Sequence, residues 1–348
     1  MNSVRLVPHS SPWITDLDTS EVVETLQSGL IAKGQKTIEF EAAIRDFLGS
    51  GETRSYSSGR DALVAALRRI GIEDEDEVIV PTYVCKEVLD AVIEVGGNPQ
   101  IADVGLYGVL TPDAVRDVLS SKTRAIVGVH IFGHYCDIEG LKSFGLPVIE
   151  DACHAFGVTF EALQEKRAGT LGHYAVLSFH ATKLLTTGSG GMLVINRGSL
   201  GFENGVEKSP ESGIRGSFSD LNASLGLSQL RQFPDFVHRR QWIREEYRSA
   251  VGHNVSDVSD PSASFLFRYT LKTNEPFDDI EEFFSQRGVV VKRGVDELLH
   301  RRIGLDDRSF PNAVERFRTS FSVPFFPRLS NPEVRRVRDA IAELSDYA

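Results

Sequence analysis

The sequence predicts an α/β fold with a mostly parallel central sheet and a smaller C-terminal α+β domain. Short apolar runs alternate with helix-like stretches through the first two thirds of the chain, at residues 78–80, 125–129, 147–149, 175–179 and 192–195. Runs that are apolar at every position are typical of strands buried on both faces, as in a parallel sheet covered by helices. We therefore predict a large domain over residues 1–235, which includes an N-terminal segment.

The last third of the chain has a different pattern. It predicts a strand at 265–271, a helix at 277–287, a strand at 289–291 and two further helices. In the last helix, at 332–344, Val334, Val337, Ile341 and Leu344 fall on one face. A helix at 233–251 links the two parts, and residues 236–348 are predicted to form the small domain.

Composition excludes several classes of protein. Of the 348 residues, 41% are hydrophobic and 25% are charged, which is ordinary for a globular protein. The net charge of −11 argues against a general nucleic-acid binder, and the absence of a long apolar run argues against a membrane span. The N-terminus lacks a signal-peptide core. Cys85, Cys136 and Cys153 have no paired spacing, so we expect reduced thiols and a cytoplasmic protein.

The segment from Ser178 to Lys183 is the most informative motif. It places a lysine among small residues in a turn that follows an apolar run, and Gly188, Gly190 and Gly191 come soon after. A lysine that loses its water has a lowered pKa and becomes a nucleophile for aldehydes. This is the chemistry of a Schiff-base lysine that holds pyridoxal phosphate (PLP). The alternative is a surface lysine before a glycine-rich hairpin.

A second motif begins as an apolar run at residue 148 and ends in a carboxylate, Asp151. Catalytic side chains of open α/β sheets lie just past the carboxyl ends of strands. An aspartate there can keep a pyridine nitrogen protonated, which makes the PLP ring an electron sink. His154 could donate to the ring oxygen. The alternative is that Asp151 caps a helix and His154 is a core residue.

A third motif, around Ser58 and Gly59, precedes a helix with Leu63, Leu67 and Ile70 on one face. Free N–H groups at a helix start bind phosphate, and glycine allows close approach. Many helices begin in this way without binding anything. The order of the three motifs, phosphate cradle, aspartate and then lysine, is what favours a PLP site.

Other chemistries are poorly supported. His130 and His134 lie near Cys136 and Asp137, but Gly133 between them predicts a loop rather than a helix that presents two metal ligands. We expect no metal. The chain has neither a Gly-x-Ser-x-Gly nucleophile elbow nor a Gly-x-Gly-x-x-Gly dinucleotide motif after its early strands.

Together these segments resemble the DegT/StrS type of PLP-dependent sugar aminotransferases, within the aspartate aminotransferase superfamily. Five further stretches add to the resemblance, at residues 29–41, 76–83, 129–137, 220–226 and 322–330. The resemblance covers most of the chain and implies the fold-type-I PLP-dependent transferase fold.

The resemblance also implies a complete cofactor site. Its PLP-binding residues are Ser58, Gly59, Arg60, Tyr83, Cys85, Asp151, His154, Ser178, Lys183 and Arg215, of which Lys183 and Asp151 are catalytic. Three positions depart from the family pattern. Arg60 replaces a frequent threonine and is left with its backbone N–H. Cys85 lies roughly where an aromatic stacks on the ring, with Tyr83 as the alternative. Arg215 lies near the position at which the family has an asparagine that contacts the cofactor phosphate of the partner subunit, and its charge could serve instead.

The implied reaction moves an amino group from glutamate, the donor, to a nucleotide-linked keto sugar. The implied assembly is a homodimer. Lys33, Lys292 and Arg293 could hold the diphosphate through charged hydrogen bonds, or they could be solvated surface charges. Two other functions stay open. One is a sugar dehydratase of the same fold, which uses histidine in place of the lysine. The other is a non-catalytic relative that binds the cofactor or sugar without turnover.

Overall fold

Two sheets organise the computed structural model of this protein, which describes residues 6–49, 51–161, 166–196 and 218–346. The described elements up to residue 248 are α1 (Asp16–Ser28), α2 (Gln35–Leu48), β1 (Glu52–Tyr56), α3 (Gly59–Ile70), β2 (Glu77–Pro81), α4 (Lys86–Glu94), β3 (Asn98–Ala102), α5 (Pro112–Val118), β4 (Thr123–Val129), α6 (Ile138–Lys142), β5 (Val148–Asp151), β6 (Tyr174–Ser178), β7 (Gly191–Ile195) and α7 (Asp220–Arg248). The later elements are β8 (Ser256–Asp257), β9 (Tyr269–Lys272), α8 (Phe277–Gln286), β10 (Lys292–Arg293), α9 (Leu299–Arg302), α10 (Pro311–Thr319), β11 (Ser320–Val323) and α11 (Asn331–Asp346).

The larger sheet has the strand order β1-β7-β6-β5-β4-β2-β3. Neighbouring strands from β6 to β3 run parallel, whereas β7 is antiparallel to both β6 and β1. The carboxyl ends of the parallel strands therefore share one edge, which is where open α/β sheets bind ligands. This arrangement confirms the predicted α/β class with a mostly parallel central sheet.

The five predicted strands correspond to β2, β4, β5, β6 and β7, whose residues are almost all buried. The pattern of the sequence did not predict β1 and β3. β1 is an edge strand whose first residues alternate between exposed and buried, and β3 begins with exposed and half-buried residues at the other edge. A strand that is covered on only part of its surface needs no continuous apolar run.

The smaller sheet is antiparallel, in the order β10-β11-β9-β8. The N-terminal segment packs beside it. Val7 donates its N–H to the Gly288 carbonyl at 2.8 Å and accepts from the Val290 N–H at 3.0 Å. The predicted strand at 289–291 was therefore misplaced, because Val289 forms only an isolated bridge with Val7 and the strand of the sheet is β10.

Helix α7 runs continuously through residue 235, where we predicted the domain boundary. Ser219 caps its start, and its side chain accepts the Asn222 N–H. The division into residues 1–235 and 236–348 stays a prediction. Within the described ranges, none of the helices is long and apolar enough to cross a membrane.

Candidate active site

The turn before α3 is built for close approach. Ser58 caps the helix, since its Oγ accepts the Asp61 N–H at 3.1 Å. A Cβ on Gly59 would come within 3.0 Å of the Ser178 Cβ and 3.4 Å of its Oγ. Only glycine fits there without displacing Ser178. The first N–H groups of α3 and the Ser178 hydroxyl therefore lie together, as a phosphate site requires.

Arg60 directs its side chain away from this turn. Its guanidinium forms an ion pair with Glu94 of α4 at 2.5 Å and lies 3.4 Å from the Asp90 carbonyl oxygen. Because the charged group is occupied by α4, only the backbone N–H of Arg60 is left toward this turn, and its role at a phosphate stays a prediction.

Asp151 ends β5 at the carboxyl edge of the sheet and is almost fully buried. One oxygen, Oδ1, accepts the Cys153 N–H at 2.9 Å. The backbone thus fixes the carboxylate at the strand end. Such a carboxylate can accept a hydrogen bond from a protonated pyridine nitrogen.

Glu150, the preceding residue, is a buried anchor that sequence reasoning missed. It accepts the N–H groups of Gly169, Leu171 and Gly172 at 2.6 to 3.0 Å and a hydrogen bond from His130 Nε2 at 2.9 Å. Burial alone would raise its pKa, but these hydrogen bonds outweigh burial and lower it. Glu150 therefore ties the end of β5 to the loop before β6. His130 is committed to this bond rather than to a metal.

His154 lies between two aromatic rings. Its ring stacks on Phe267 at 4.3 Å and on Phe132 at 5.9 Å, and its Nδ1 accepts the Phe132 N–H at 3.3 Å. Burial, followed by the charges of Lys183 and Arg268, lowers its pKa well below the usual value. The imidazole is therefore neutral, with its proton on Nε2, and it can donate a hydrogen bond from that atom.

Lys183 projects from the turn after β6. The turn is closed by its own N–H, which donates to the His180 carbonyl at 2.9 Å, and by the Thr187 N–H, which donates to the Phe179 carbonyl at 2.9 Å. The ammonium group lies 5.3 Å from the centre of the Phe267 ring. Lys183 and His154 thus share one aromatic neighbour. Five other predicted cofactor-binding residues described above are Ser58, Gly59, Asp151, His154 and Ser178, and we call these five the cofactor cradle.

Tyr83 and Cys85 follow β2 and point in different directions. Tyr83 is fully buried, packs edge-on against Phe132, and leaves no room for a Cβ on Gly294. Cys85 immediately precedes α4 as its N-cap residue and is exposed. Burial of the sulfur atom, followed by the negative charge of Asp151, raises the pKa of the thiol. The positive charge of Lys183 acts in the opposite direction. The geometry therefore favours Cys85 rather than Tyr83 as the residue that faces the cradle.

The small domain holds this segment through His300. The His300 N–H donates to Thr82 Oγ1 at 3.2 Å, and the Thr82 hydroxyl donates to His300 Nδ1 at 2.7 Å. On its other side, His300 Nε2 donates to Asp307 at 2.9 Å, and Arg301 binds the same carboxylate through two bonds of 2.8 Å. The ring stacks on Phe310 at 4.0 Å. Thr82 and Asp307 are thus linked by a buried histidine, which we call the His300 tie.

A pocket opens beside Lys183 on the side of the N-terminal segment. Its described lining is His9, Ser10, Ser11, Pro12, Trp13, Thr182, Lys183, Leu184, Thr186, Gln229, Phe236, Arg240, Phe267, Arg268, Val323, Phe325, Phe326 and Pro327. We call it the N-terminal pocket. Sequence reasoning missed it, because its walls come from five separate parts of the chain and carry no local motif.

The three predicted diphosphate-binding cations have different surroundings. Lys33 is exposed in the segment before α2, and Lys292 is exposed at the start of β10. Arg293 forms an ion pair with Asp278 at 3.3 Å and stacks on Phe277 at 4.3 Å. Arg215 lies outside the described residues. The roles of these four residues stay predictions.

A sequence model of the DegT/DnrJ/EryC1/StrS aminotransferase family matches residues 12–342. The chain belongs to this family. Membership confirms three predictions, namely the family, a PLP-dependent aminotransferase as the enzyme class, and PLP as the cofactor. The residues of the cofactor cradle fit PLP, since Gly59 leaves space against Ser178 and Asp151 ends the adjacent strand edge.

Individual proteins resemble this aminotransferase over almost its whole length. The spore coat polysaccharide biosynthesis protein SpsC of Bacillus subtilis (strain 168) is 27% identical, over 98% of this chain and 97% of its own. GDP-perosamine synthase of Escherichia coli O157:H7 is 28% identical, over 98% of this chain and 99% of its own length. The structure of DesI in the presence of its TDP-sugar product has a TM-score of 0.85 at 24% identity, over 98% of this chain and 93% of DesI. The structural likeness confirms the fold-type-I architecture.

Proposed function

We propose that this aminotransferase moves an amino group from L-glutamate to the keto group of a nucleotide-linked sugar. The observation that carries the proposal is the meeting of Lys183, Asp151 and the turn at Gly59 along one edge of the sheet, in a member of this family. The three unpaired cysteines support a reducing compartment, the cytoplasm, as the site of the reaction.

Bound PLP supplies the electron sink that makes removal of an α-proton feasible. The chain's own residues do the rest. The N–H groups of Gly59 and Arg60 and the Ser178 hydroxyl bind the phosphate, and Asp151 holds a proton at the pyridine nitrogen. Lys183 Nζ takes the proton from the α-carbon of the donor. In the second half-reaction Nζ delivers a proton to the sugar carbon that receives the amino group.

The names of the relatives support a nucleotide-linked sugar. One is a GDP-perosamine synthase, and DesI was crystallised with a TDP-sugar product. An acidic protein needs a local positive charge to hold a diphosphate, and we propose Lys33, Lys292 and Arg293 for this role. Each charged hydrogen bond contributes about 1.5–3 kcal/mol, so Lys33→Ala with Arg293→Ala should weaken binding by at least about tenfold.

Single-turnover kinetics of the two half-reactions test that role. The loss should appear with the nucleotide-linked keto sugar and vanish with the free sugar, while the glutamate half-reaction stays nearly intact. Equal losses in both half-reactions would mean that these residues support the fold or the cofactor. No loss in either would favour a small cyclic ketone as the acceptor.

We also propose that the protein is a homodimer. Leu26, Leu30, Ile31 and Ile38, around the connection between α1 and α2, are exposed apolar side chains, and Leu30 is 73% exposed. An apolar surface of this kind is stabilised when a second copy covers it. Arg215 is proposed to reach the partner's cofactor phosphate, so Arg215→Ala should weaken PLP retention. Sedimentation should give a dimer, and a fully active monomer would refute the proposal.

The decisive experiment is the absorbance spectrum of the PLP-loaded protein with and without glutamate. Glutamate should convert the spectrum to that of the aminated cofactor and release 2-oxoglutarate, and the keto sugar should restore the first spectrum. No change with glutamate would favour a non-catalytic relative. Loss of water from the sugar instead of amination would favour a dehydratase.

A further inference from the structure

A second cavity lies away from the cofactor cradle and the N-terminal pocket. It opens between the turn after β3, the last turns of α7 and the loop that follows β8. Its volume is about 330 Å³, against about 40 Å³ for the N-terminal pocket, and the two share no described lining residue. Sites for small molecules commonly measure roughly 300–1,000 Å³, so this cavity is large enough to hold one. We call it the Tyr107 cavity.

Two arginines of α7 give the Tyr107 cavity a positive wall. Arg244 and Arg248 are four residues apart and therefore lie on one face of the helix. Arg244 is fixed, because its Nη1 donates to the Ala263 carbonyl and its Nη2 to the Asp260 carbonyl, each at 3.1 Å. Arg248 is exposed, and neither guanidinium forms an ion pair within 4 Å among the described residues. Like charges at this spacing repel, so an anion bound by both would stabilise the pair.

One carboxylate lines the cavity, but it is already engaged. Asp257 Oδ1 accepts the Ser259 N–H at 2.8 Å, and Oδ2 accepts the Tyr269 hydroxyl at 3.0 Å. The described lining thus carries two guanidinium groups against one carboxylate, in a chain with a net charge of −11. A local positive field of this kind attracts a negatively charged ligand.

Two buried polar atoms of the lining lack partners. Ser259 is the one buried residue among those that line the cavity, and its hydroxyl has no hydrogen-bond partner among the described residues. Arg244 Nε is likewise buried and without a partner there. Such atoms are rare in native proteins, because each loses its hydration without compensation. Their presence in two residues of one cavity points to a polar ligand.

The remaining lining is apolar or aromatic. Leu106 is 81% exposed at the turn after β3, and Tyr107, Val258 and Pro261 also line the cavity. A ligand with a flat, weakly polar part would cover Leu106 and pack against the Tyr107 ring, and burial of such surface favours binding. The cavity therefore offers a cationic side and an apolar side.

One turn of chain separates the Tyr107 cavity from the cofactor cradle. His134 Nδ1 donates to the Tyr107 carbonyl at 2.9 Å, and the two rings lie 5.7 Å apart. His134 contacts Phe132 at 6.0 Å, and Phe132 stacks on His154 of the cradle at 5.9 Å. The cavity therefore lies behind the wall of the active site, and a ligand in it does not meet the reacting groups.

We propose that the Tyr107 cavity is a second binding site, for a nucleoside monophosphate. The phosphate binds Arg244 and Arg248, since guanidinium groups match phosphate oxygens. The base packs against Leu106 and Tyr107. Asp257 accepts a ribose hydroxyl, because each carboxylate oxygen can accept a second hydrogen bond. The inference goes beyond the proposed function and does not depend on it.

Isothermal titration of the PLP-loaded protein with AMP, and in parallel with UMP, tests the site. Loss of a charged hydrogen bond in Arg248→Gln should weaken binding of the preferred nucleotide by roughly 10- to 100-fold. Leu106→Asp adds a negative charge without touching either arginine and should weaken it by about tenfold. Adenosine, uridine and inorganic phosphate should each bind at least about tenfold more weakly than the nucleotide. Arg335→Gln is the matched control, because Arg335 is also an exposed arginine on a helix, and it should bind normally.

Hydrogen exchange locates the ligand in the native protein. The turn after β3 is closed by the Gly105 N–H, which donates to the Val109 carbonyl at 2.8 Å, and by the Gly108 N–H, which donates to the Gly105 carbonyl at 2.9 Å. A ligand packed against Leu106 opposes opening of this turn, so the nucleotide should slow the exchange of both amides. Protection confined to the segment around Lys183 would place the nucleotide at the active site and overturn the inference.

The other outcomes also overturn it. Weaker binding in Lys33→Ala/Arg293→Ala but not in Arg248→Gln would place the nucleotide at the proposed substrate site. Inorganic phosphate that binds as tightly as the nucleotide would mean an anion site without a nucleoside. An equal loss in Arg335→Gln would mean nonspecific attraction, and unchanged binding in Arg248→Gln would assign that arginine to the end of α7, which a basic side chain also stabilises. If neither nucleotide binds, the site is refuted, whereas the proposed transamination is unaffected because the titration involves no turnover.

Discussion

The cofactor cradle and the N-terminal pocket meet at Lys183, and they carry opposite kinds of polar group. The cradle offers backbone N–H groups at Gly59, the hydroxyl of Ser178 and the carboxylate of Asp151. The N-terminal pocket offers Arg240 and Arg268, with no acid among its described lining residues. The lysine thus has an anionic neighbour on one side and cationic neighbours on the other.

The difference fits the residence times of the two ligands. A cofactor stays through many turnovers, so it is held by groups that the backbone fixes at strand ends and at a helix start. A donor must enter and leave in each cycle. Tight binding of such a ligand in the ground state would not speed the chemical step.

Removal of Lys183 should have the largest effect, since it is the residue that both sides share. A positioned proton-transfer group contributes roughly 100- to 10,000-fold to rate. Lys183→Ala should lose at least that factor in both half-reactions, measured in single turnovers. Borohydride reduction of the native protein followed by peptide mapping should place the cofactor on Lys183, and a label on another lysine would contradict the assignment.

Asp151→Asn tests the cradle alone. The variant should retain PLP, because the phosphate contacts are intact, but turnover should fall by roughly 100-fold or more as the ring nitrogen loses its proton partner. Both half-reactions should suffer equally. If Asp151→Asn retains PLP and also turns over at a near-native rate, Asp151 is a structural residue.

The two regions also differ in what the sequence could predict. Gly59 lies at a helix start, Asp151 at a strand end and Lys183 in the turn after β6, and each carries a local motif that explains why that residue type is needed. Even where the motif departs from the family, at Arg60, the side chain leaves the site and only the backbone matters.

The walls of the pocket could not be predicted in this way. His9 meets Ser322 across 313 residues of chain, and Thr82 meets His300 across 218. Such contacts depend on how the small domain packs against the large one, which no local period encodes. Arg268 precedes a strand like many surface arginines, and only its position beside Phe267 distinguishes it.

Two histidines, one on each side, should make the protein less stable at mildly acidic pH. The pKa of His154 in the cradle is lowered well below 6.5, and that of His9 in the pocket is lowered to about 3. Both stay neutral in the fold but take up a proton when the chain unfolds. Their contribution to the free energy of unfolding is fully present above pH 6.5, the pKa of histidine in the unfolded chain, and is lost as the pH falls below that value.

Urea unfolding at pH 7, 6 and 5 measures this loss. Each histidine should add up to about 1.4 kcal/mol per pH unit to the slope of the unfolding free energy. His154→Gln and His9→Gln should each flatten the slope by about that amount, and exposed His238 is the control residue. If only one variant flattens it, the two regions do not exclude protons equally.

The smallest effect is expected at the His300 tie, which joins the small domain to the segment that carries Cys85. His300→Leu keeps the stacking volume against Phe310 but removes the hydrogen bonds of the ring to Thr82 and Asp307. Only the bond to Thr82 breaks when the Thr82 segment opens, and its net contribution is about 1 kcal/mol. Local opening of the Thr82 segment should therefore become about fivefold more frequent, while the strands of the large sheet stay protected.

Hydrogen exchange of the Leu299 amide reports this opening, because that N–H donates to the Thr82 carbonyl at 3.0 Å. Its exchange should speed up about fivefold, and PLP should bind correspondingly more weakly with little change in the rate of a saturated half-reaction. His238→Leu should change neither quantity. Faster exchange with unaltered PLP affinity would mean that the tie stabilises the small domain without positioning the cradle, and the two sides of Lys183 would then be mechanically independent.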